Sequence, residues 1–114
     1  MTNYEEMIHG CSDCISACKS SMRDAWMKAP LSKEEKECAR MWNDCATICE
    51  ASIHLLSRGS MYSENILKLC EQICGDCSKE CSKHNSTSCK KVANACKKCM
   101  ELCHKHGTSI RKSA

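Results

Sequence analysis

Polar and non-polar positions alternate along this chain with the period of an α-helix. The inward positions are occupied mainly by cysteine. Cysteines fall at 11, 14 and 18; at 38, 45 and 49; at 70, 74, 77 and 81; and at 89, 96, 99 and 103. Every gap within a group is three, four or seven residues, the spacing that puts side chains on one stripe of a helix. Hydrocarbon side chains run beside each stripe: Ile8, Ile15 and Met22; Met41, Ile48 and Leu55; Ile66 and Ile73. The pattern predicts four helices with a sulfur seam where a bundle normally carries leucine, joined along apolar flanks.

The punctuation between groups sets the boundaries. The Ala29-Pro30 pair ends the first helix, because the residue before proline is pushed out of the α region. Ser32 and Glu35 form a capping box, and Glu34 suits the positive start of the second helix. Gly59 closes that helix, and the Asn85-Ser86-Thr87-Ser88 cluster makes a turn and the last N-cap. Gly107 is read as the final stop, leaving 108–114 as a polar tail. Helices over about 3–28, 32–58, 62–84 and 87–106 follow, with short links. Such lengths and links predict an all-α, antiparallel up-down-up-down four-helix bundle, a single domain over 1–114 with a cysteine-lined core.

Composition narrows the chemistry. Aromatic residues make up 4% of the chain, Phe is absent, and six Leu and seven Ile supply most of the remaining hydrocarbon. The basic excess of the second half, 10 basic against 5 acidic groups over 61–114, is interleaved with the cysteine stripe. It therefore reads as solvated outer faces, and no nucleic-acid partner is expected. No apolar run approaches the ~20 residues of a membrane span, so no membrane partner is expected. The acidic start, Met1-Thr2-Asn3-Tyr4-Glu5-Glu6, lacks the features of a signal peptide, which predicts a cytoplasmic protein with reduced thiols.

Helical pairs three or four apart have Cβ atoms ~5–6 Å apart, too far for easy disulfides but suited to sulfurs that share a metal. Fourteen inert thiols would leave the core short of volume. The C-x₂-C-x₂-C run of an iron–sulfur protein is absent. Thiolate is the soft ligand that selects Cu(I), and bridging thiolates bring the ratio to roughly one copper per cysteine. One proton leaves as each Cu⁺ arrives, so a filled core stays near neutral. Multiple Cu(I) ions held by Cys11, Cys14, Cys18, Cys38, Cys45, Cys49, Cys70, Cys74, Cys77, Cys81, Cys89, Cys96, Cys99 and Cys103 are the expectation. His106, three past Cys103, and Met41, four before Cys45, are added as candidate ligands. The alternatives are a zinc or broad soft-metal sequestering protein of metallothionein type, and a thiol oxidoreductase using Cys11/Cys14, Cys74/Cys77 or Cys96/Cys99. The oxidoreductase fits poorly, because no strand pattern accompanies the C-x-x-C pairs. No nucleophile–base pair or phosphate loop appears, so a binding protein is expected rather than an enzyme.

The segments Cys11-Ser12-Asp13-Cys14-Ile15-Ser16-Ala17-Cys18, Cys45-Ala46-Thr47-Ile48-Cys49, Cys74-Gly75-Asp76-Cys77-Ser78-Lys79-Glu80-Cys81 and Cys96-Lys97-Lys98-Cys99-Met100-Glu101-Leu102-Cys103 resemble those of the bacterial copper storage proteins. The resemblance covers about Glu5 to His106 and is to the cytosolic branch. It implies Cu(I) storage or detoxification and a homotetramer. A copper chaperone or a small-molecule thiol is the expected donor.

Antiparallel packing gathers Met7, His104 and His106 at one end of the bundle, and Met22, Trp26, Trp42, Met41 and His84 at the other. Exchangeable ligands favour a copper entrance beside Cys103 and His106, with the tryptophans plugging the opposite end. His84 argues the other way. His9 and His54 fall off the stripe and are expected on the surface.

Overall fold

A computed structural model describes residues 4–28 and 30–113, with side chains described as far as Gly107. Its helices are α1 (Glu5–Trp26), α2 (Lys33–Ser57), α3 (Ser63–Cys81) and α4 (Thr87–Ser113). Each packs on its sequence neighbour, and α1 closes the ring against α4. The result is an antiparallel four-helix bundle with principal extents of 49 × 22 × 18 Å.

Local chemistry accounts for the boundaries. The α2 capping box is formed: the Glu35 amide donates to Ser32 Oγ at 3.1 Å, and the Ser32 amide donates to Glu35 Oε1 at 3.2 Å. Those bonds hold the exposed Glu35 carboxyl below its ordinary pKa. At the other end of α2, Gly59 adopts φ 61°. There its amide donates to Leu56 O and the Ser60 amide to Leu55 O. That pair of bonds is a Schellman stop, which needs a residue free of a Cβ penalty. Ser86 caps α4 by accepting from the Cys89 amide at 3.1 Å. In the link between α1 and α2, Ala29 lies outside the described residues, as does Asn3 at the expected start of α1.

One expected boundary is wrong. The helix does not stop at His106 and Gly107 but continues to Ser113. Glycine ends a helix cleanly by taking positive φ, and Gly59 is the one described glycine that does so. In a helical conformation Gly107 costs only about 1 kcal/mol, and no proline follows to force a break.

The core is sulfur flanked by hydrocarbon. All fourteen cysteines are buried as free thiols. Ile15, Met22, Met41, Ile66 and Ile73 pack partly buried against them, and Ile48 is buried. Gly10 leaves room for the Leu102 side chain of α4: a Cβ there would stand 2.5 Å from Leu102 Cδ1. Met7, Leu56 and Leu67 are fully or almost fully buried where α1 begins and α2 ends, so hydrocarbon closes that end of the bundle.

Candidate metal centre

Each helix delivers its cysteines to a common axis, where sulfurs from different helices meet. Cys14 Sγ lies 3.6 Å from Cys96 Sγ, and Cys96 Sγ lies 3.7 Å from Cys45 Sγ. Cys49 Sγ is 3.8 Å from Cys99, 3.9 Å from Cys74 and 4.0 Å from Cys70. Cys11 reaches Cys99 at 3.9 Å, and Cys77 reaches Cys81 at 3.9 Å. Two sulfurs on one metal at ~2.3 Å with trigonal angles stand about 4 Å apart, so these separations already suit a shared soft metal. They lie far beyond the ~2.05 Å of a disulfide.

Five groups of three or four thiols each converge within 4.8 Å: Cys11, Cys49, Cys70 and Cys99; Cys14, Cys49, Cys74 and Cys99; Cys14, Cys18 and Cys96; Cys45, Cys74 and Cys96; and Cys38, Cys81 and Cys89. The first four share members, so they form one network instead of separate sites. Cys77 joins the fifth group to it, lying 3.9 Å from Cys81 and near enough to Cys45 and Cys96 for both to lower its pKa. Cys103 extends the network at the other end through Cys70 and Cys99. The whole cysteine set expected from the spacing is therefore brought together.

The thiols act on one another's protons. Neighbouring sulfurs, Cys14 first, and then burial push Cys45 well above the ordinary thiol range, and contacts led by Cys14 do the same to Cys96 and Cys74. Cys14, Cys70 and Cys77 are held below that range by thiols that donate to them, led by Cys18, Cys103 and Cys45 respectively. Neighbouring thiols thus share protons that incoming metal would displace. Cys38 stands at the edge of this network. Burial, followed by the nearby Cys89, pushes it up to about 12.

The ends differ, and not as expected. A cleft of about 450 Å³ opens at the end where α1 finishes and α2 begins, and Cys38, Cys89, Trp42, His84 and Ser21 line it. Ser21 Oγ is buried there without a partner among the described residues. His84 is half-buried and lies 3.7 Å from Glu80. Trp42 lines the cleft from inside. It lies buried along the wall and donates its indole N–H to Cys81 Sγ at 3.2 Å. Trp26 is 81% exposed and plugs nothing.

At the opposite end, the expected mouth beside Cys103 and His106 is closed by Met7, Leu56 and Leu67. His104 is exposed and meets Glu71 at 3.3 Å on the outside. His106 is buried, with its ring 6.4 Å from that of Tyr4. Met41 packs partly buried at the rim of the core rather than inside it. His9 and His54 are exposed, as their register predicts.

Sequence reasoning read Trp42 only as a plug and left Leu56 unassigned. Trp42 lies four past Cys38 and three before Cys45, on the stripe, so helical register alone marks it as inward-facing. Leu56 lies seven past Cys49, which likewise marks the hydrocarbon closure.

A column of buried, mutually bridging thiols on four antiparallel helices defines a polynuclear metal-binding bundle. Residues 1–108 match the profile of the copper storage protein family, and the chain belongs to that family. The solved structure of Cu(I)-bound copper storage protein BsCsp3 is similar at 30% identity, with a TM-score of 0.85, covering 91% of this chain and 97% of that one. A cytosolic copper storage protein of Streptomyces lividans, solved with five coppers, is 29% identical with a TM-score of 0.81 and covers 90% of each chain. The cysteine-rich protein YhjQ of Bacillus subtilis is 32% identical over 94 residues, 82% of this chain and 86% of that protein.

Proposed function

We propose that this protein stores Cu(I) in the cytoplasm, holding many ions on its core thiolates. One observation carries the reading: convergent thiol groups share members, with cross-helix separations of 3.6–4.0 Å, so that most thiolates have more than one neighbour with which to share a metal. Bridging of that kind suits a soft monovalent ion that accepts two or three sulfurs. Separate four-thiolate sites, as tetrahedral zinc prefers, would not share members in this way. Family membership and the copper-loaded relatives support the same reading, and the cytosolic Streptomyces relative supports the compartment.

In this reading the role is binding, not catalysis. The C-x-x-C cysteines that an oxidoreductase would expose are buried. Copper arrives bound to a chaperone or a small thiol, and it enters through the cleft lined by Cys38, Cys89 and His84. A homotetramer, implied by the family resemblance, belongs to the same reading and is checked by light scattering. The direct test is competition: reduced protein given Cu(I) and Zn(II) together should retain copper and exclude zinc. Preferential zinc retention would favour the metallothionein-type alternative.

A further inference from the structure

The closed end of the bundle holds a buried histidine. His106 is 7% exposed, and its Nε2 has no hydrogen-bond partner among the described residues. Leaving such a nitrogen buried and unmatched costs about 1–3 kcal/mol. A leucine at this position would close the bundle without that cost. The residue stands three past Cys103, so helical register puts it on the cysteine stripe of α4, one turn beyond the last thiol. The Tyr4 ring packs against it from the start of α1. Met7, fully buried, is one turn before Cys11 on the same end of α1.

We propose that His106 Nε2 and Cys103 Sγ form a mixed imidazole–thiolate Cu(I) site at the foot of the sulfur column, a terminal position and not an entrance. This rests on the storage reading above. Imidazole and thiolate are both ligands that copper accepts. The charge balances: the Cys103 thiol proton leaves with the departing donor ligand as Cu⁺ arrives, neutral imidazole completes the coordination, and no electron moves. The buried Nε2 lone pair gains the partner it lacks. The sulfurs that act on Cys103 are Cys70, Cys99 and Cys11, and no cysteine follows it on α4, so a nitrogen one turn further on supplies a ligand that thiols there cannot.

Nitrogen-15 NMR of histidine-labelled protein tests this, because Cu(I) is diamagnetic. On loading with Cu(I), the His106 Nε2 resonance should move far more than the nitrogens of exposed His9 and His54. The His106→Phe variant assigns the signal and keeps a ring against Tyr4. That variant should be no less stable than wild type without metal, yet gain a smaller rise in Tm on loading. A His106 Nε2 signal unmoved in protein shown by metal analysis to be loaded overturns the site while leaving storage intact. Protein that takes up no Cu(I) overturns the storage reading, and the site with it. An equal Tm rise in wild type and His106→Phe also overturns the site.

Discussion

The indole N–H of Trp42 donates to the sulfur of Cys81 at 3.2 Å, so a buried tryptophan reports on the metal centre from its wall. A donor to sulfur favours the thiolate over the thiol, since hydrogen bonding to the charged form stabilises it. Trp42 thus helps Cys81 release its proton against the upward push from Cys77 and burial.

Copper loading should therefore change the fluorescence of Trp42 while leaving that of exposed Trp26 nearly constant. In the Trp42→Phe variant the loading-dependent change should vanish, with copper capacity retained because every thiol remains. Apo stability should fall by about 1–2 kcal/mol, from a lost hydrogen bond and a smaller ring. An undiminished signal in that variant would place the reporter elsewhere.

Alkaline pH should weaken the apo-protein. Cys38 moves from an ordinary 9.0 to about 12 in the folded chain, and burial is the first cause. Below pH 9 both folded and unfolded forms keep this proton, and its contribution to stability is fully present. Between about 9 and 12 the unfolded chain loses the proton first, so stability falls as pH rises. Helicity followed by circular dichroism should decline across this window in apo-protein. It should persist in copper-loaded protein, whose thiols have already surrendered their protons. Apo-protein equally stable at pH 8 and pH 11 would contradict the burial of these thiols.

Two glycines should respond oppositely to alanine. Gly59→Ala puts a Cβ on a residue at φ 61° and should destabilise by about 1 kcal/mol. Gly107→Ala meets nothing within 4 Å and lies inside α4, so it should stabilise by up to about 1 kcal/mol. Thermal melts of the two variants check both signs. A destabilising Gly107→Ala would restore a helix stop at that glycine.

Entry through the cleft makes His84 kinetically important. His84→Ala should slow Cu(I) loading from a thiol complex by about tenfold, the scale for losing a side chain that handles metal beside its ligands. Final capacity should not change. His104→Ala, altering an exposed residue turned toward Glu71, should load at the wild-type rate. Stopped-flow or slow-mixing absorbance in the thiolate-to-copper band follows both. Slowing in His104→Ala alone would move the entrance back to the Cys103 end.

The cysteine seam was legible because one physical rule governs it. Three-, four- and seven-residue gaps can only face one way on a helix, so the bundle, the sulfur column and the apolar flanks all followed from spacing. The ends were harder to read. Whether Gly107 stops a helix depends on its φ, which the sequence does not encode when a continuing helix costs so little. Which end is open depends on how Leu56, Leu67 and Met7 fill space against one another, a three-dimensional matter. Trp26 and Trp42 were grouped as plugs by size. Register separates them: Trp42 lies on the Cys38–Cys45 stripe, while Trp26 turns away from that of Cys14 and Cys18.

Capacity is the central quantity. Anaerobically reduced protein is titrated with Cu(I) against a competing chelator, and bound copper is then measured after desalting. A network in which thiolates are shared should fill to roughly one Cu(I) per cysteine, about fourteen per chain. Saturation at three or four Cu(I) per chain would mean isolated sites, and would contradict storage.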